Sequence, residues 1–421
     1  MIYIVLALKS LLNRRFSTIL TAISIALSMA LLLGVERVRA SARESFSNTI
    51  SKTHLIVGAR GSPIQLLLYS VFRMGNATNN ISWSTYEKYK SRQEIDWTIP
   101  ISLGDSHKGF RVVATDENFY QHFRYRGDKE IEISEGKAPI EIFDVAIGAD
   151  VARKLKYKIG DRVVIAHGVS EGPAVIEHDD KPFTLVGILQ KTGTPVDKSM
   201  YITLQGMEAI HMDWADGAPP MPGKEIVASN IDKESISIGQ ITSFLVRLKS
   251  PMAILSLQRQ INTDPEEPLM SIIPGVTLDE LWSTISYGED ALRVVASFVV
   301  LVGLMGMLLT LYTAAAERRR EMSILRALGA RPRTLVSLMV IESWILGTVG
   351  SILGLFAMLG LFFLADVFIA REFGLTLPLG FPSAFEWSLI GGASALSLII
   401  GFVPAWRVYQ NSLADGLAAR V

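Results

Sequence analysis

"ERRREMSILRALGARPRTL", residues 317–335, lies directly after a long apolar run and directly before another. Arginines alternate in it with Met322, Ile324, Leu325 and Leu328, and a Gly-Ala-Arg-Pro break follows. Met322, Leu325 and Leu328 recur at helical spacing, so the stretch reads as about three turns of a basic, half-apolar helix. Gly329 suits the left-handed position that closes a helix, and Pro332 suits the first turn of the next. The question it raises is why such a helix stands between two stretches without charge.

Those stretches decide the class of the chain. Residues 17–35 are 19 uncharged residues and 294–316 are 23. Residues 335–365 are interrupted by Glu342 alone, and 387–406 form a fourth uncharged run. About 20 apolar residues cross the hydrocarbon of a bilayer, and none of the four carries the polar stripe of a soluble helix. Hydrophobic residues make up 49% of the 421 and charged residues 19%, a balance suited to lipid contact. The expected fold is therefore four transmembrane helices with a large α+β extracytoplasmic domain between the first and second.

Lys and Arg near the span ends set the orientation. Lys9, Arg14 and Arg15 precede the first span, and Arg318, Arg319, Arg320, Arg326, Arg331 and Arg333 lie between the second and third. The loop 366–386 holds only Arg371. Both termini and the arginine-rich loop are thus expected in the cytoplasm. Arg37, Arg39 and Arg43 vote the other way and are outnumbered. A cleaved leader ending near Ala40-Ser41-Ala42 fits less well, since the apolar run exceeds an ordinary leader core. Residues 1–16 are expected to lie as an amphipathic helix on the inner surface.

Residues 36–293 have a different texture. "RVVIA", "FTLVGIL", "SMYITL" and "SFLVRLK" read as strands. "ADVARKLKYKIGD" reads as a helix ending near Lys158–Gly160, and "PMAILSLQRQIN" as another. Residues 35–51 and 278–293 look helical, so the first two spans are expected to continue outward as stalks.

The order of one span, a large outer domain and three further spans resembles the FtsX-like permeases of ABC transporters, in the MacB-like (type VII) branch. The resemblance rests on "REMSILRALGARPRTLVSLMVIES", "VAIGADVARKLKYKIGDRVVI", "FTLVGILQKTGTPVDKSMYITL" and "PAWRVYQNSLADGLAAR". It implies a mechanotransmitting permease with spans at 17–35, 294–316, 335–365 and 387–406, a coupling loop at 317–334, an outer loop at 366–386 and a tail at 407–421. In that family the basic helix docks on the ATPase, which assigns coupling to Glu321, Met322, Leu325, Arg326, Leu328 and Gly329. The implied partners are an ABC ATPase subunit that carries ATP and Mg, a second copy of the permease, and a periplasmic adaptor or lipoprotein. The implied location is the bacterial inner membrane with the large domain periplasmic. The sequence has no GxxxxGK[ST] phosphate loop, and 16 residues precede the first span, so a stand-alone permease without a fused ATPase is expected. A signalling subunit that activates an envelope enzyme, or a membrane-anchored binding module without an ATPase, would share the same layout.

Other chemistry finds little support. There is no cysteine, which excludes thiol catalysis and Cys-based metal sites. No HExxH motif is present, and no catalytic residue is assigned. Net charge is zero, which gives no global attraction to nucleic acid. All six histidines, His54, His107, His122, His167, His178 and His211, fall in the outer domain without close ligand spacing. "EAIHMDW" and "EHDD" could contribute to a metal or haem site, but scattered surface side chains are the commoner case, and no metal or cofactor site is assigned. Glu342 is an ionisable residue inside a span, expected to pair with Arg326 or Arg333 or to act in transport. Gly350 and Gly354 form a GxxxG pair that would serve helix packing, within the chain or between two copies.

Overall fold

The computed structural model describes residues 2–47, 49–168, 176–214, 226, 228, 231, 236–317, 329–372 and 380–414. The chain opens with α1 (Ile2–Asn13) and α2 (Arg15–Ser47). Contacts divide it into two compact units, Met1–Ala42 with Ile285–Val421, and Arg43–Thr284.

In the second unit the described order is β1 (Leu55–Ala59), α3 (Pro63–Leu67), a π-turn at Leu68–Phe72, β2 (Ile81–Ser82), α4 (Trp83–Lys90), β3 (Ile95–His107), β4 (Phe110–Thr115), α5 (Glu117–His122), β5 (Arg124–Tyr125), β6 (Lys129–Glu130), β7 (Ile133–Gly136), β8 (Asp144–Ile147), α6 (Ala149–Leu155), β9 (Arg162–Val163), β10 (Phe183–Leu189), β11 (Ser199–Thr203), α7 (Leu204–His211), β12 (Gln240–Ile241), β13 (Ser243–Leu248), α8 (Ile254–Asn262) and β14 (Leu269–Ile272). Short helices pack with a mainly antiparallel sheet, in keeping with the α+β reading. The main sheet has ten strands in the order β14-β1-β13-β3-β4-β11-β8-β10-β7, with β9 on β10. Pairing is antiparallel except for β4 with β11 and β8 with β10. The 13-residue β3 is its spine. Ile95–Ile101 pair with β13, and Ser102–His107 pair with β4 across a bulge between Leu103 and Ser106.

The strand runs quoted above become β9, β10, β11 and β13, because β-branched and aromatic side chains fill a pleated, buried face. Alternation is clean in β10, where Phe183, Leu185 and Leu189 are buried between partly exposed neighbours. Phe183, Val145, Met200, Phe244 and Leu257 belong to one core that the helices cover. Two boundaries differ from expectation. The helix at 149 ends at Leu155, three residues early, because Lys156 takes a left-handed φ of 57° and caps it. The "RVVIA" strand is short, and its ladder resumes as a single bridge at Ala166.

The chain then continues through α9 (Pro274–Glu317), α10 (Pro332–Glu372) and α11 (Ala384–Ala414). Among the described residues four helices are long and apolar enough to cross a membrane: Arg15–Glu44, Pro274–Ala315, Pro332–Ala365 and Ala384–Arg407. Ile25, Met29 and Leu33 of α2 pack with Val300, Leu304 and Met307 of α9 and with Met358 of α10. Leu27, Leu309 and Phe356 are more than 60% exposed. Apolar residues on the outside of an apolar bundle are what lipid, and not water, solvates. α1 holds Lys9 as its one charge and exposes Tyr3, Ile4, Val5 and Leu8, so its surface is apolar rather than divided into an apolar and a basic face.

Candidate functional site

Of the residues assigned to coupling, Glu321, Met322, Leu325, Arg326 and Leu328 lie outside the described residues. Gly329 is described and has φ of +95°, a conformation that glycine adopts without a Cβ penalty. Pro332 is the first residue of α10, where its missing N–H has no intrahelical partner to lose. The chain therefore turns sharply between 329 and 332 and re-enters a long helix.

Glu342 lies within α10 and is 4% exposed. Its neighbour Ser343 donates to the carbonyl of Val340 at 2.9 Å and faces Gly401 of α11. Gly350 and Gly354 face α2. A Cβ on Gly350 would stand 2.8 Å from Cβ of Ile25, and one on Gly354 would stand 2.7 Å from Cβ of Met29 and from the carbonyl oxygen of Ala26. The small residues thus bring α2 and α10 together within one chain. Gly303 of α9 approaches Ser28 in the same way. Hydroxyl pairs cross the helices too, Thr21 with Thr310 at 3.2 Å and Thr348 with Ser394 at 2.6 Å, which satisfies polar groups where water is excluded.

The arginines that opposed the orientation after the first span are neutralised locally. Arg37 makes a bidentate pair with Glu386 at 2.8 and 3.0 Å, both side chains buried. Arg39 binds Glu36 and reaches Glu289, and Arg293 binds Glu36 from α9. Arg43 stacks over Trp282, 5.6 Å from the ring centre.

The expectation for the histidines needs correction. His54, His107 and His122 stand apart, whereas His167, His178 and His211 converge on Asp105. Nδ1 of His167 lies 3.1 Å from Nε2 of His211, and the Asp105 carboxylate is 3.3 Å from the first and 3.4 Å from the second. Burial alone would raise the Asp105 carboxyl, but the His167 and His211 rings beside it hold it well below the usual carboxylate range. Burial pushes His178 down to about 4. For His211 burial acts downward, and the contact with Asp105 outweighs it and raises the ring. The separation of these residues along the chain hid the cluster, and "EHDD" with His178 and "EAIHMDW" with His211 were its local signals.

Comparison with known proteins gives the family. The MacB-like periplasmic core domain matches residues 18–264, and the FtsX-like permease C-terminal domain matches residues 293–413. An uncharacterised ABC transporter permease of Methanocaldococcus jannaschii is 28% identical over 241 residues, 55% of this chain and 53% of that one. The macrolide export ATP-binding/permease protein MacB of Rhodopirellula baltica is 22% identical over 465 aligned positions, 98% of this chain and 62% of that one. The chain thus spans less than two thirds of the length of either relative. The crystal structure of the periplasmic region of MacB from Actinobacillus actinomycetemcomitans aligns with 56% of this chain and 94% of that one at 10% identity, with a TM-score of 0.33. The chain belongs to the FtsX-like permeases with a MacB-like periplasmic core domain.

Proposed function

We propose that the chain is the permease subunit of an ABC transporter in a bacterial inner membrane, with both termini in the cytoplasm and residues 36–293 in the periplasm. A separate ATPase subunit supplies the energy, with ATP and Mg bound there, and a second permease chain completes the assembly. The family membership across 18–264 and 293–413 carries this reading. A bundle with an exposed apolar surface supports the membrane location.

On this reading ATP binding draws the ATPases together and pulls on the helix at 318–328. Met322, Leu325 and Leu328 form its docking ridge, and Glu321 and Arg326 give charge complementarity. The movement passes into α2 and α9, which run 33 and 44 residues without a break in the helix. A hydrogen-bonded helix, rising about 1.5 Å per residue, carries displacement along its axis. The periplasmic domain then handles cargo from the outer face, to be exported or extracted from the outer leaflet, with an adaptor or lipoprotein as a further partner. Leu325→Asp is expected to uncouple ATP hydrolysis from transport while membrane insertion stays normal. Wild-type transport in that variant would remove the coupling role.

A further inference from the structure

We infer that Asp105, His167, His178 and His211 form a binding site for one divalent transition-metal ion of the zinc class. One donor atom from each lies within 4.8 Å of all the others. An ion with bonds of about 2.0–2.2 Å to nitrogen and oxygen, in tetrahedral geometry, places its ligand atoms roughly 3.3–3.5 Å apart. His167 Nδ1 lies 3.1 Å from His211 Nε2 and 3.3 Å from Oδ1 of Asp105, and His211 Nε2 lies 3.4 Å from its Oδ2, distances close to such edges with the carboxylate offering either oxygen. The donor set therefore surrounds a volume of the right size.

The hydrogen bonds leave the correct lone pairs. Nδ1 of His211 is 2.9 Å from the carbonyl of Met207. A carbonyl only accepts, so Nδ1 carries a proton, and Nε2 is the nitrogen that binds the ion, releasing any proton it shares with Asp105. Zinc-bound histidines are oriented in this way. His178 is 1% exposed, and neither of its ring nitrogens has a hydrogen-bond partner among the described residues. Asp105 is fully buried, and its Oδ2 has no hydrogen-bond partner among them either. A buried imidazole with both nitrogens unsatisfied is costly, and an ion supplies a partner to one of them.

The scaffold holds the four residues independently of an ion. Ser106 pairs with Ala166, and Ala166 with Glu177, in antiparallel bridges. Asp105 therefore stands opposite His167, and His178 lies one step beyond the second bridge. His211 is the last residue of α7. Lys181, fully buried, binds Asp180 at 2.7 Å and Asp213 at 2.8 Å, which fastens the turn after His178 to the segment after α7. The Trp214 ring lies 4.8 Å from His167 and 4.6 Å from His178. His167 is 41% exposed at its side chain, so an ion can enter from that side.

Three imidazoles and one carboxylate favour zinc(II), with cobalt(II), nickel(II) and copper(II) as chemical competitors, over magnesium or calcium, which prefer oxygen alone. Four protein ligands make a closed site that holds its ion rather than a catalytic one with an open position.

The test uses the full chain in detergent, purified with a tag that contains no histidine and stripped with a chelator. Titration with zinc chloride against a chromophoric chelator is expected to give one ion per chain with a sub-micromolar Kd. X-ray absorption is expected to show a nitrogen and oxygen shell without sulfur. His167→Ala, at a half-exposed position, is expected to weaken zinc binding at least tenfold with an unchanged melting temperature before zinc is added. His122→Ala, whose ring stacks on Trp97, is expected to leave binding unchanged. Absence of stoichiometric zinc binding, or equal affinity in the wild type and a folded His167→Ala, would overturn the assignment.

Discussion

The Arg37 guanidinium and the Glu386 carboxylate, from α2 and α11, meet through two parallel hydrogen bonds of 2.8 and 3.0 Å. Glu386 also accepts from the backbone N–H of Ser383 at 2.6 Å, and Arg37 donates to the carbonyl of Gly380 at 3.2 Å. The pair therefore holds the start of α11 to α2 with its polar atoms satisfied.

Breaking one side of a buried pair leaves an uncompensated charge, which costs about 3–5 kcal/mol. Arg37→Met and Glu386→Leu are each expected to lower unfolding stability in detergent by that order. The double variant is expected to recover most of the loss. A double variant no more stable than either single one would show that the stranded charge is not the cause.

Gly350 and Gly354 admit no larger side chain while α2 keeps its place. Gly350→Leu and Gly354→Val are expected to destabilise the bundle by about 1–3 kcal/mol, the range for overpacking. Gly360 has no atom within 4 Å of a notional Cβ, so Gly360→Ala serves as the control and is expected to be neutral. Melting temperatures in detergent separate the two cases.

Asp116 caps α5 by accepting from the N–H of Asn118 at 3.1 Å. Burial raises its carboxyl from 3.8 to about 7, against the opposing pull of Lys90 and that N–H. Its acid form is thus favoured in the fold. The unfolded chain loses this proton first, so the contribution to stability is complete below about pH 4 and falls as pH rises towards 7. Asp116→Asn keeps the cap without the charge and is expected to gain roughly 2–4 kcal/mol over wild type at pH 8. That gain should vanish near pH 4. A difference independent of pH in denaturant unfolding would contradict the assignment.

Local chemistry explains what the sequence made legible. "FTLVGIL" reads as a strand because its side chains alternate along one extended segment, and it forms β10 over Phe183–Leu189. The four long helices are visible because lipid-facing residues need no polar stripe. The roles of Arg37 and His178 are set by partners far along the chain. Arg37 counted as a bare positive charge until Glu386 was placed beside it. His178 stands near two aspartates in sequence, yet its cluster uses Asp105, which β3 and the bridge at Ala166 bring close. The turn at Gly329 and the start of α10 at Pro332 were legible for the opposite reason, since these two residues encode their backbone conformations locally.

The most direct measurement is affinity purification of the tagged chain in detergent, followed by mass spectrometry of what accompanies it. A P-loop ATPase recovered in a fixed ratio with the wild type, and lost with Leu325→Asp while the variant still inserts into the membrane, is the expected result. Recovery of the chain without an ATPase, or an ATPase retained undiminished by Leu325→Asp, would contradict coupling through residues 318–328.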